Sequence, residues 1–89
     1  MESILQTTKG RCFLCGRMTQ TEEHHCLSGV SNRKNSEKYG LKINVCRDCH
    51  NLIHSKREYE VRIKQMAQEV FEQTYPREEW IRIFGKSWL

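Results

Sequence analysis

Five cysteines and four histidines hold the chemistry open to this chain, and their spacing sorts them into sites. Cys12-x-x-Cys15 and Cys46-x-x-Cys49 are two half-sites. Two residues between cysteines let both thiolates reach one ion at about 2.3 Å while backbone amides turn toward the sulfurs. Gly16 directly follows Cys15, as such a turn commonly requires. Four thiolates close the coordination shell of Zn2+ and leave no position for water, so this ion is a structural staple rather than a catalyst. A set of three thiolates plus His50 is also compatible with the spacing. A redox role for either pair lacks the surrounding βαβ pattern. Cys26 is left over and reads as a small buried hydrophobe.

The histidines lie beside these half-sites, in Glu22-Glu23-His24-His25 and in Cys49-His50-Asn51-Leu52-Ile53-His54. On a helix, His50 and His54 project from one face as a clamp for a divalent ion, with room for a third ligand. On a strand, His24 and His25 point to opposite sides. One can then bind the metal while the other stands unligated as a general base, a role suited to an imidazole.

Those roles require a strand around His24 and a helix from the second half-site, for which Asp48 is the expected N-cap. The thirty residues between Cys15 and Cys46 exceed a simple ribbon loop, so a folded insertion is expected there. The first eight residues read as a loose lead-in. From Lys56 the pattern changes: Tyr59, Ile63, Met66, Ala67, Val70, Phe71 and Thr74 form one helical stripe. Pro76 ends or kinks that helix and suits the first turn of a shorter one, Pro76 to Phe84, closed by Gly85. Trp80, Ile81, Phe84 and Trp88 are expected to pack back on the stripe.

Eighty-nine residues make one domain, with a core expected over 9–55 and a helical scaffold over 56–89. With 37% hydrophobic residues and a mean hydropathy of −0.77, the apolar core is small for the ordering cost it must offset. A staple is therefore expected. No secretory signal pattern or membrane span is legible, so a cytoplasmic, reducing location follows, where paired cysteines bind metal. The net charge of +4 is uneven: residues 9–57 hold ten Lys/Arg against four acids, residues 58–89 five against six. A positive field over the cysteine- and histidine-bearing half points to a polyanionic partner, DNA first.

The phrases CFLCG, EEHHCLSG, NRKNSEKYGL and VCRDCHNLIH resemble the HNH (ββα-metal) nuclease superfamily. The resemblance is closest to small phage and prophage-encoded members with two CxxC knuckles, and the ending FGKSWL is similar to the tail of those proteins. The His-His pair followed by His-x-x-x-His also resembles colicin-type nucleases. The resemblance implies an α+β fold with a small ββα-metal core stapled by the four-cysteine zinc, then C-terminal helices. It implies His24, His50 and His54 as ligands of a catalytic divalent metal (Mg2+, Mn2+, Ni2+ or Zn2+) and His25 as general base. Where the family's central asparagine usually stands, this chain has Leu41; Asn32, Asn35 and Asn44 are the candidates for bracing the base, Asn44 first among them. Glu23 is a reserve ligand.

By the same resemblance the activity is hydrolysis of DNA phosphodiesters in a bacterial host cell, and phage encoding belongs to that expectation. A homodimer or a phage packaging partner belongs to that expectation. Arg33, Lys34, Lys38 and Lys42, read as lying in a loop of the insertion, are the candidate phosphate contacts. The competing reading is a zinc-ribbon module that binds nucleic acid without catalysis, and it leaves the histidines without a role. A protein–protein adaptor, resting on the amphipathic C-terminal helix, ranks third.

Overall fold

A computed structural model describes residues 2–6 and 10–89, so the expected core start at Lys9 lies outside the described residues. The elements run β1 (Glu22–His25), α1 (Val30–Tyr39), β2 (Lys42–Val45), α2 (Arg47–Ser55), α3 (Arg57–Phe71) and α4 (Arg77–Phe84). Over the described residues this is a small α+β fold with a two-stranded antiparallel sheet, four helices and a tight group of four cysteines.

The sheet register pairs Glu22 with Val45, Glu23 with Asn44, His24 with Ile43 and His25 with Lys42. Side-chain alternation then gives the two faces different tasks. Ile43 and Val45 are buried in the core with Ile53 of α2, and Glu22 and His24 share their side of the sheet. Lys42 and Asn44 lie on the other side with Glu23 and His25.

The connection between the strands is a helix, α1, where a loop was expected. Its ends are glycines, and Gly40 closes it in the left-handed conformation (φ 70°), with its backbone N–H on Glu37 O. A Cβ at Gly40 would also run into the Glu2 carbonyl. Helix α1 is polar, burying Ser36 completely, so it lacks the apolar stripe by which helices are recognised.

The lead-in is not loose over residues 2–6. It runs beside the outer edge of β2, whose backbone groups need partners. Ser3 Oγ donates to Lys42 O. Gln6 Oε1 accepts from Asn44 N (2.7 Å), while Asn44 O accepts from Phe13 N (2.8 Å). Thus a side chain and the first knuckle serve in place of a third strand.

Two helix details also differ from expectation. The N-cap of α2 is Cys46, in extended conformation, and Asp48 sits in the first turn, 3.5 Å from Arg17. The α3 stripe buries Ile63, Ala67 and Phe71 against Trp80 of α4, but Ile81 stays exposed. One step along a helix turns the side chain by about 100°, so Trp80 and Ile81 cannot both face the core. Trp80 and Phe71 meet edge to face at 5.3 Å, and burying side chains of this kind stabilises by about 1.5–3 kcal/mol each. Gly85 caps α4 as expected, with φ 85°.

Candidate functional site

The first knuckle folds on local bonds. Gly16 N donates to Cys12 O (2.9 Å), Cys12 N to Arg17 O (3.0 Å) and Cys15 N to Cys12 Sγ (3.4 Å). Gly16 takes φ 77°, a left-handed conformation that a side chain would strain. The second knuckle spans the end of β2 and the first turn of α2, since Cys46 caps the helix that Cys49 lies in.

These two turns bring Cys12, Cys15, Cys46 and Cys49 together, with their sulfurs all within 4.8 Å of one another. Cys15 Sγ and Cys46 Sγ are 3.9 Å apart, close to the ~3.8 Å edge of a tetrahedron built on zinc–sulfur bonds of about 2.3 Å. Burial raises the Cys12 thiol, but the Cys15, Cys46 and Leu14 backbone groups outweigh it and bring it down to about 6. The Cys49 backbone N–H lowers Cys46. Burial and the neighbouring sulfurs push Cys49 up. Some thiolates are thus favoured, and full ionisation of the set calls for a cation among them. The four cysteines could therefore hold a metal ion, as a structural zinc requires. Cys26 stays apart and buried, its thiol pushed up to about 12 by burial, as expected of a small hydrophobe.

The same β2–α2 junction orients the histidines. His50 and His54, one helical turn apart on α2, have ring centroids 4.8 Å apart. His24 reaches them from β1, at 5.3 Å from His50 and 5.6 Å from His54. One ring nitrogen from each lies within 4.8 Å of the other two. Burial first, then the neighbouring His50, His54 and His25, holds His24 down to about 4, so it is neutral at pH 7 with a lone pair to give. His50 Nδ1 lies 2.9 Å from Glu22 Oε1, which leaves its Nε2 for another partner. The His50 bond, with help from Arg47, keeps the Glu22 carboxyl below its usual range. A carboxylate behind an imidazole is the usual support of a metal-bound histidine. Its position two residues before His24 was a legible signal, since strand alternation puts both on one side.

His25 points the other way, as alternation requires, and its Nε2 lies 3.1 Å from Glu37 Oε2 of α1. Asn44 makes no side-chain hydrogen bond to His25 among the described residues, and its backbone is occupied with Gln6 and Phe13. Glu37 was not foreseen: nothing in a polar segment marks one acid over another until α1 exists. An open cleft of about 350 Å³ joins the two sides, lined by His24, His25, His50, His54, Glu23 and Arg33 among others.

The four expected phosphate contacts do not act alike. Arg33 lines the cleft, and Lys34 and Lys38 stand exposed on α1 rather than in a loop. Lys42 is on β2 with its Nζ 2.8 Å from Glu37 and 3.5 Å from Glu23, so its charge is spent inside the fold. No helix among the described residues is long and apolar enough to cross a membrane. Comparison with protein-family models, curated proteins and solved structures finds no match for this chain.

Proposed function

We propose that this chain is a metal-dependent DNA endonuclease of the HNH type, with a ββα-metal core formed by β1, β2 and α2. One observation carries the reading: His24, His50 and His54 converge at a cleft that His25 also lines. In this reading Cys12, Cys15, Cys46 and Cys49 hold a structural zinc, and the three histidines hold one divalent ion. A divalent ion supplies polarisation of a non-bridging phosphate oxygen and stabilisation of charge on the leaving 3′-oxygen.

The protein's own groups do the rest. His25 accepts a proton from the attacking water, and the products carry 5′-phosphate and 3′-hydroxyl ends by the family resemblance. Arg33, which makes no ion pair among the described residues, is free to hold a phosphate at the cleft. Such a contact positions the backbone without reading sequence. Lys34 and Lys38 extend the positive surface along α1, so binding weakens as salt rises.

The test uses supercoiled plasmid with magnesium, manganese or nickel at low salt, against an EDTA control. Relaxation or linearisation only with metal is expected. Binding without cleavage under every metal overturns the reading in favour of a non-catalytic zinc-ribbon module.

The Glu22–His50 bond gives a second expected result. Glu22→Gln weakens divalent-metal binding at the histidine trio by about 10- to 100-fold, the usual cost of losing such a support. Calorimetric titration of the zinc-loaded protein reads it. Affinity equal to wild type would mean that the bond is incidental.

A further inference from the structure

A histidine that takes a proton from water must present a bare nitrogen, and a neutral imidazole has two tautomers of which only one bares a given nitrogen. Something must choose. At His25 the choice is visible in the surroundings: Nε2 lies 3.1 Å from Glu37 Oε2, with Glu23 further off at 3.8 Å. Nδ1 has no hydrogen-bond partner among the described residues.

Glu37 is itself held. Its other oxygen, Oε1, accepts from Lys42 Nζ at 2.8 Å, and Lys42 stands directly opposite His25 in the sheet register. One residue of α1 is thereby fixed across β1 and β2. The Lys42 bond, then the His25 bond, draws the Glu37 carboxyl down to about 2, so it is an anion whenever the fold is intact near neutral pH. An ionised carboxylate on Nε2 favours the tautomer with its proton there and fixes the orientation of the ring.

We propose that Glu37 is the positioning residue of His25: it holds Nε2–H, keeps Nδ1 bare toward water, and is aimed by Lys42. The proposal rests on the nuclease reading for its catalytic purpose, while the orientation itself is a property of the fold. It gives the insertion between the strands a task, because α1 delivers the group that braces the base where Asn44 makes no such contact. The bland alternative is a half-exposed ion pair with little effect on anything, as such pairs usually are.

The two are separated by measuring tautomer and kinetics on the full zinc-loaded chain. Long-range ¹⁵N–¹H spectra of the His25 ring at neutral pH are expected to report Nε2–H in wild type and a mixture in Glu37→Ala. Plasmid cleavage by Glu37→Ala is expected to lose about 10- to 100-fold in kcat, part of the roughly 10²–10⁴ that a general base supplies. KM stays within about twofold, since no phosphate contact is removed. Glu37→Gln keeps an acceptor oxygen, so it retains the Nε2–H tautomer and loses less. Far-UV circular dichroism checks that α1 persists in both variants.

An unchanged tautomer in Glu37→Ala, or a kcat equal to wild type where wild type cuts, overturns the positioning role and leaves the nuclease reading intact. The opposite failure is also distinct. If Glu37→Ala shifts the tautomer but wild type cleaves under no metal, the orientation stands and the nuclease reading falls.

Discussion

Stripping metal from the four cysteines is expected to unfold the protein rather than loosen one corner of it. The knuckle loop around Cys12 and Cys15 is attached by few bonds, among them Phe13 N to Asn44 O and Gln6 Nε2 to Arg11 O. The second knuckle is the start of α2, whose N-cap is Cys46 and which has no side-chain capping bond. A structural zinc in small domains contributes about 10–16 kcal/mol of apparent binding free energy. Domains of this kind have a net stability of only about 5–15 kcal/mol. Loss of the metal therefore exceeds or consumes the margin. Purified protein should contain one zinc per chain at the cysteine set, and a strong zinc chelator should abolish the helical circular dichroism signal and the thermal transition together. Cys49→Ser should do the same without chelator. Because α2 also bears His50 and His54, divalent binding at the histidine trio should vanish with it. Cys26→Ser is the control. It puts a hydroxyl in a buried site at a cost of about 1–3 kcal/mol but keeps the zinc. A Cys49→Ser protein that keeps its thermal transition within a few degrees of wild type would sink the staple reading.

The parts of the fold read correctly from the sequence were those set by short-range spacing. Two residues between cysteines, three between His50 and His54, and a proline and glycine bracketing α4 are all local geometry, and each appears where expected. Opposite pointing of His24 and His25 followed from strand alternation alone. The long spacing between Cys15 and Cys46 signalled an insertion but not its form. Helix α1 escaped because its polar residues carry no stripe, and because Gly29 and Gly40, which cap it, look the same as the glycines of a loop. The docking of Ser3 and Gln6 on β2 escaped because it joins residues far apart in sequence.

The candidate site divides the same way. The residues that could grip a metal were legible, since ligand type and spacing are stringent. Those that orient them were not, because an acid is unremarkable until a fold aims it. Glu22 was half-legible, two residues from His24 on a strand. Glu37 and Lys42 became a pair only once α1 lay over the sheet. Lys42 shows the reverse error: its charge was counted toward a polyanion, whereas two carboxylates neutralise it.

His25→Ala carries the largest expected loss of activity, about 10²–10⁴-fold in kcat on supercoiled plasmid, the span a positioned general base contributes. The two histidines divide their roles across β1. His24 lies with His50 and His54, whereas His25 is bonded to Glu37 on the other side and shares only the cleft. Removing the His25 ring should therefore spare the four-cysteine group, the histidine trio and the phosphate contacts. Zinc content, divalent affinity at the trio and DNA binding in a gel-shift assay are expected to match wild type while cleavage falls. His50→Ala should behave differently, losing divalent affinity and cleavage together, because its ring belongs to the trio. The contrast between these two variants is the sharper measurement, since a general defect in folding would strike both alike. Equal cleavage by His25→Ala and wild type would remove His25 from the chemistry. A His25→Ala protein that also lost divalent affinity would mean that the two faces of the strand are not independent, and His25 would then act as a ligand instead of a base.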